Sequence, residues 1–415
     1  MNIWIVNPFD PLPGDPEQEG RYATLARLLI DRGHQVTWWT SAFSHRFKRP
    51  VDQDAIRSAC APLGLIPRFL DCTPYRRNVS FARLWNHSQL SRRFREQAPQ
   101  ANPRPDVILA SSPPPSLVLA AAEVGRELGA KAIVDVQDLW PDTFQRLAPA
   151  GLQSVFKLAL WPSSRTARRA YASCHAVTGV ADAYVERAMA MARERKPAMT
   201  VPLGVDLDAF DEAASNAPED QWVKPPGETW LAYTGSLNRS YDFLTIIKAA
   251  ARIREKHGDR VRFILTGRGD LAAEAQRLVT SQGLTNVTLT GFLDFAAWAS
   301  LLTQCDAGFN ASFPEALIYL PNKLFYYLAA GVAVLNTIPG QCSEIIRDAG
   351  CGLDYRAGDV DSCVQAVEQI LGDRRSLIAM GRAARELAET TYDRSVLFPQ
   401  FAEFIEGVAM PATRR

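Results

Sequence analysis

Three stretches of this 415-residue sequence set cations, two of them beside glycines, where a phosphate can be held. Thr234-Gly-Ser-Leu-Asn-Arg239 places a glycine at the end of an apolar run and an arginine just beyond it. Thr266-Gly-Arg-Gly-Asp270 repeats the arrangement one unit later. Leu320-Pro-Asn-Lys323 opens a helical pattern with a lysine in its first turn, where the dipole opposes a cation unless an anion is also present. Free N–H groups at a helix N-terminus and an arginine fork both suit a diphosphate. Glycine at one such turn is equally explained by backbone geometry; the recurrence of the turn with an arginine is what points to a diphosphate ligand. Glu315 and Glu344 flank Lys323 in sequence.

Other chemistries find less support. Neither a G-x-G-x-x-G dinucleotide fingerprint nor a G-x-x-x-x-G-K-[ST] loop occurs. The five histidines, at 34, 45, 87, 175 and 257, show no H-E-x-x-H spacing, and the acidic pairs Asp206/Asp208 and Asp359/Asp361 read as solvated turns. Seven cysteines form no C-x-x-C pair, and the spacing of Cys342, Cys351 and Cys363 is wrong for the usual zinc sites. No metal site is expected. An odd, scattered set of cysteines reads as reduced core thiols, so a cytoplasmic setting is expected.

The elements that must carry these turns alternate between strand and helix. Asn2-Ile-Trp-Ile-Val6 is a short apolar strand, four prolines break the chain, a helical pattern runs from Gly20 to Gly33, and Val36 to Thr40 resumes as strand. Strand, helix, strand is the right-handed crossover of a parallel sheet. It recurs with strands over 106–112, 132–136 and 176–179. After Val201-Pro-Leu-Gly204 a Pro- and acid-rich connector intervenes. The alternation then restarts with strands over 230–234, 261–265, 286–290, 306–309 and 332–336, and with helices between them, one from about Tyr241 to His257. Residues 45–104 give no clear pattern. The expected fold class is α/β, two doubly wound parallel-sheet domains with a cleft between the carboxyl ends of their strands.

Composition bounds the partners. Apolar residues make up 47% and charged residues 22%, an ordinary globular balance, and the net charge is only +1, which argues against a nucleic-acid binder working through bulk charge. No apolar window approaches the length of a membrane span, and the apolar start is too short for a signal peptide. Within that neutral whole, the segment from Arg68 to Arg104 holds eight Arg and two acids, interleaved with Phe69, Tyr75, Phe81, Trp85 and Phe94. Such a segment can be a solvated face, or it can dock on an anionic membrane surface.

The ordered motifs resemble bacterial family 4 glycosyltransferases of the GT-B fold, in particular the branch that builds O-antigen and exopolysaccharide units. The likeness rests on Gly20-Arg-Tyr22, Arg32-Gly-His-Gln-Val36, Ser111-Ser-Pro113 and Asp138-Leu-Trp-Pro141 in the first half. Val201-Pro-Leu-Gly-Val-Asp206 marks the join. Gly235-Ser-Leu237, Gly291-Phe-Leu293, Pro321-Asn-Lys-Leu-Phe325, Ala329-Ala-Gly331 and Gly340 with Glu344 follow in the second half. The resemblance implies an N-terminal acceptor domain over 1–205, a C-terminal donor domain over 206–385 and a last helical segment, 386–415, crossing back to the first domain.

It further implies transfer of a sugar, with retention, from a nucleotide-diphosphate sugar to a glycan or lipid-diphosphate-glycan acceptor, without a metal or other cofactor, in a cytoplasmic protein peripheral to the inner membrane. Arg239 and Lys323 match the family's diphosphate-binding cations, and Asp138 is the remaining polar candidate at a strand end of the first half. Gly20, Arg21, Trp140, Gly235, Ser236, Arg268, Phe292, Glu315, Asn322, Tyr326 and Glu344 are the implied substrate contacts. The chain departs from the family at Tyr326, where a glutamate usually grips the ribose; a phenol cannot accept the bidentate pair that a carboxylate accepts. Ile318 replaces the partner glutamate, Pro114 a histidine and Gln137 an arginine. Those losses leave open a non-catalytic binding homologue, and the shared architecture leaves open a nucleotide-sugar 2-epimerase, which would need His and acid clusters that the sequence does not offer.

Overall fold

The computed structural model describes residues 1–15, 20–77, 80–146, 153–218 and 222–410. The chain divides into two compact units, Met1–Pro202 with Leu397–Arg415, and Leu203–Val396.

The first unit holds β1 (Asn2–Val6), β2 (Gln35–Ser41), a small antiparallel hairpin of β3 (Phe43–Ser44) and β4 (Arg49–Pro50), β5 (Leu65–Leu70), β6 (Val107–Ser112), β7 (Lys131–Val136), β8 (Ala176–Gly179) and β9 (Ala198–Thr200). Seven of these strands form one parallel sheet in the order β5-β2-β1-β6-β7-β8-β9. The runs Ile3–Val6 and Val107–Ala110 are buried throughout, as strands covered on both faces by crossover helices must be. Helices start and stop where local chemistry dictates. The helix Pro115–Leu128 begins on a proline, whose missing N–H has no partner to lose there, and ends at Gly129 in the left-handed region.

Residues 45–104, which show no pattern in sequence, contain the hairpin, the helix Gln53–Cys60, the edge strand β5 and the helix Phe81–Gln97. Pro67 interrupts β5 and is tolerated because the strand lies at the sheet edge. The helix Phe81–Gln97 buries Asn86, His87 and Ser91 beside Leu90 and Phe94, so its inner face is partly polar and hides its period.

The second unit contains β10 (Thr229–Thr234), β11 (Val261–Thr266), β12 (Val287–Gly291), β13 (Ala307–Asn310), β14 (Ala333–Asn336) and β15 (Gly352–Asp354), all parallel, in the order β12-β11-β10-β13-β14-β15. Leu231, Tyr233, Phe263, Leu265, Phe309 and Leu335 of these strands join Phe243, Ile246 and Ile247 of the helix Phe243–His257 in one core. The C-terminal helix Arg394–Ala409 sends Phe398, Phe401, Ala402 and Ile405 into the core of the first unit. Arg32 and His34 hold its Glu406 at 2.7 and 2.8 Å. The division between units thus falls at 396/397, not at 385/386. No described helix is long and apolar enough to cross a membrane.

Candidate active site

In the second unit the predicted turns meet on one rim, at the carboxyl ends of the strands. β10 ends at Thr234 and the chain turns through Gly235 at φ 134°; β11 ends at Thr266 and turns through Gly267 at φ 138°. The two loops then run against each other. Gly235 N–H donates to Thr266 O (3.0 Å), Leu237 N–H to Arg268 O (2.9 Å), and Gly267 N–H to Gly291 O (2.7 Å). A Cβ on Gly267 would stand 1.8 Å from Gly235 O, and one on Gly269 would stand 2.1 Å from Leu237 O. Close backbone approach therefore accounts for these two glycines without a ligand. Its consequence is functional all the same: it brings Gly235, Ser236, Arg268 and Phe292 side by side. Arg268 lies 4.9 Å from the Phe292 ring, which is 48% exposed.

The expected helix dipole is not part of this rim. The helix after β10 begins only at Phe243, and Asp242 at its N-terminus accepts from Gly358 N–H at 2.7 Å. A carboxylate already occupies the positive end, so neither Gly235 nor Arg239 sits at a helix N-terminus. Arg239 is exposed and makes no hydrogen bond or ion pair among the described residues. Its neighbour Ser240 accepts from Ser312 Oγ and Phe313 N–H, both at 3.0 Å. These bonds tie the loop to the segment that carries Glu315 and Asn322, both exposed; Glu344, in the first turn of Gln341–Ala349, is exposed too.

Lys323 is the exception to this exposure. It lies in the first turn of the helix Asn322–Ala329, and only 8% of it is accessible. Its Nζ stands 4.3 Å from the centroids of both the Tyr233 and Tyr241 rings and has no hydrogen-bond partner among the described residues. Burial lowers the amine from its ordinary 10.5 to about 7. The open turn at Gly235 lies directly over it; a Cβ there would be 3.5 Å from Nζ. One turn along the same helix face, Tyr327 Oη accepts from Thr234 N–H (3.0 Å) and donates to Phe309 O (3.2 Å). That ring occupies space left by Gly308, where a Cβ would come within 2.5 Å of it. The lysine is therefore anchored at a defined depth. Tyr326 takes another face and packs its ring 4.8 Å from Trp298 and 6.1 Å from Phe210.

In the first unit, β7 leads into Asp138 and Trp140. Thr143 Oγ1 and Trp140 Nε1 both donate to the Asp138 carboxylate at 3.0 Å. Burial raises its pKa against these hydrogen bonds. Trp140 is 7% exposed and packs 5.4 Å from His87. A Cβ on Gly20 would meet Asp10 Oδ2 at 2.7 Å, so the Asp10 side chain would have to shift. Arg21, an implied substrate contact, is instead buried: 3.4 Å from Asp135 and within 6.0 Å of the Phe398 and Phe401 rings of the C-terminal helix. Asp135 also accepts from Tyr22 Oη (2.5 Å) and Thr178 Oγ1 (2.8 Å). Sequence reasoning passed over Asp135, His45, Arg83 and His87. A carboxylate inside the apolar strand run 131–136 was the one available signal, since a buried charge needs partners.

Among the described residues no group of three or more His, Cys, Asp or Glu stands together that could hold a metal ion.

Comparisons with known proteins agree on both halves. A profile described as "Glycosyltransferase Family 4" matches residues 19–209, and one described as "Glycosyl transferases group 1" matches residues 228–373. Among solved structures, HepE from Anabaena superposes with a TM-score of 0.69 at 15% identity, covering 98% of this chain and 100% of its own. WaaG, described as a glycosyltransferase involved in lipopolysaccharide biosynthesis, gives 0.70 at 14% identity, covering 98% and 100%. Sucrose-phosphate synthase from Thermosynechococcus elongatus gives 0.68 at 16% identity, covering 98% of each chain. No curated protein matches the sequence. Two parallel α/β units of the GT-B kind, matched in turn by the two profiles, make this chain a family 4-like glycosyltransferase.

Proposed function

We propose that the second unit binds a nucleotide-diphosphate sugar and that the protein transfers the sugar, with retention at the anomeric carbon, to a glycan or lipid-linked acceptor in cell-surface glycan synthesis. One observation carries the donor reading: a buried amine with no hydrogen-bond partner among the described residues, set against the glycine turn at Gly235. Breaking a sugar–phosphate bond leaves charge on the departing diphosphate, and a preplaced cation in a water-poor setting favours that transition state. Lys323 supplies the cation at depth, Arg268 and Arg239 supply exposed ones at the rim, and Ser236 offers hydrogen bonds. HepE has been solved with UDP and with UDP-glucose, which supports a uridine nucleotide as the first to try.

Chemistry without a metal is part of the proposal, as are the lipopolysaccharide or O-antigen setting and a peripheral place at the inner membrane. The segment 68–104 supports the last point. Phe81 is 89% exposed, Leu84 55% and Trp85 59%, beside exposed Arg76, Arg77, Arg92 and Arg93. Apolar side chains with basic neighbours suit an anionic bilayer surface.

The test is turnover of a panel of nucleotide-diphosphate sugars with lipid-diphosphate acceptors, in buffer with and without a chelator, and with the product's anomeric configuration read by NMR. Inversion, or loss of turnover to the chelator, would each overturn its part. Absence of any nucleotide-diphosphate binding would overturn the whole.

A further inference from the structure

A groove of about 380 Å³ on the first unit is not explained by sugar transfer. It lies across β5, the strand that ends the sheet and so leaves one side of its backbone without a partner strand. Trp39 of β2 and Arg68 of β5 stand opposite each other in the parallel register, so their side chains share a face of the sheet. The helix Phe81–Gln97 packs on that face, with the Phe94 ring 5.2 Å from Trp39. The last residue of this helix, Gln97, lines the groove together with Gln100 and Asn102 just beyond it. Gln97 follows His87 by ten residues, about 15 Å along a helix, which sets the groove apart from the turn that carries Asp138 and Trp140.

The lining holds two arginines, Arg57 and Arg68, and among the described residues no acid. Neutral groups hold both. Arg57 Nη2 donates to Gln53 Oε1 at 3.3 Å, and its guanidinium lies 4.8 Å from the Phe69 ring. Arg68 Nη2 donates to the backbone oxygen of Asn102 at 3.3 Å. Each fork is thus fixed by one corner, and neither forms an ion pair among the described residues. Glu96, next to the groove in sequence, is taken by Arg92 and Arg93 at 3.6 and 3.3 Å. Trp39 adds an independent sign of a ligand. It is 2% exposed, and its indole N–H has no hydrogen-bond partner among the described residues. A buried donor without an acceptor is costly, and folded proteins keep few of them.

We propose that this groove binds an anionic saccharide, at a site separate from that of sugar transfer. Arg57 and Arg68 hold the phosphate or carboxylate, for which guanidinium forks are suited. The amides of Gln97, Gln100 and Asn102 meet sugar hydroxyls, to which they can both donate and accept, and a ligand oxygen accepts from Trp39 Nε1. The volume suits a ligand the size of one sugar. Nothing in this assignment depends on the donor site.

The test is calorimetric titration of the full chain with glucose 1-phosphate, with glucuronate and with glucose, each in excess UDP to occupy the donor site. Both anions should bind, and glucose at least about tenfold more weakly. Tighter binding of glucose 1-phosphate assigns a sugar phosphate as the source of the charge, and tighter binding of glucuronate assigns a uronic acid; both support the site. Arg57 and Arg68 are exposed, so Arg57→Gln and Arg68→Gln should keep the fold, and each should weaken both anions about tenfold. Lys323→Met should leave these affinities unchanged whatever becomes of UDP, so failure of the donor reading and failure of this one are told apart. The indole N–H resonance that Trp39→Phe removes from the NMR spectrum should shift on titration with glucose 1-phosphate. Glucose binding as tightly as the anions, wild-type affinity in a folded Arg68→Gln protein, or a Trp39 resonance unmoved at saturation would each overturn the assignment.

Discussion

Lys323→Met keeps the length and apolar stem of the side chain and deletes a buried amine that has no hydrogen-bond partner among the described residues. Burial lowers that amine from 10.5 to about 7, so below pH 7 the folded protein holds it protonated at a cost of up to about 5 kcal/mol. The Tyr233 and Tyr241 rings, each 4.3 Å away, offset about 2 kcal/mol of this through their negative faces. A net gain of about 2–4 kcal/mol is expected for the methionine variant at pH 6. The sign of its pH dependence follows from proton binding. Between pH 7 and 10.5 the unfolded chain holds a proton that the folded chain has released, so wild-type stability rises with pH through that window. The variant's advantage is therefore full below pH 7 and fades towards pH 10.5. Scanning calorimetry of both proteins at pH 6 and pH 9.5 reads the effect, and hydrogen exchange of the helix Asn322–Ala329 assigns it to the second unit. The same variant should lose nucleotide-diphosphate binding. A variant less stable than wild type at pH 6, or a gain that ignores pH, would refute the reasoning.

Three further outcomes are expected. Nucleotide-diphosphate binding should take up a proton at Lys323, weakening about fivefold from pH 7 to 8 and about tenfold per pH unit above that; titration in buffers of different ionisation enthalpy measures the uptake, and a flat profile rejects the lysine as the anion's partner. Gly267→Ala forces a Cβ to within 1.8 Å of Gly235 O and should cost at least about 3 kcal/mol, so an unaltered melting curve would contradict the backbone contact. The Arg32 guanidinium holds the Glu406 carboxylate down to about 2. Its stabilisation of the C-terminal helix should be present above about pH 4.5 and be lost as pH falls towards 2. Glu406→Gln should remove that acid sensitivity from the exchange rates of the helix Arg394–Ala409.

The sequence made most of the strands legible because they are buried on both faces and so read as unbroken apolar runs; β1, β6, β7, β10, β11, β13 and β14 lie within a residue of where those runs fall. The strands it hid are short or marginal. β5 carries a proline and an arginine at a sheet edge, and β9 and β15 span three residues each. The helix Phe81–Gln97 was illegible for a different reason: Asn86, His87 and Ser91 share its inner face with Leu90 and Phe94, so its apolar period is broken.

Among the candidate residues, the motif order alone brought out Gly235, Arg268 and Lys323, because a strand-to-helix turn is a local feature. What each does was decided in three dimensions. Gly267 and Gly269 look like phosphate-loop glycines and serve backbone contact; Arg21 looks like a ligand contact and is sealed against Asp135 and the C-terminal helix. Lys323 reads in sequence as a helix-start lysine that needs an anion, and the structure buries it between two tyrosines. Burial and charge balance depend on neighbours distant in the chain, and one-dimensional spacing does not carry them. For that reason the sequence determined which elements exist and in what order, and only the tertiary structure decided how deeply each candidate cation is buried.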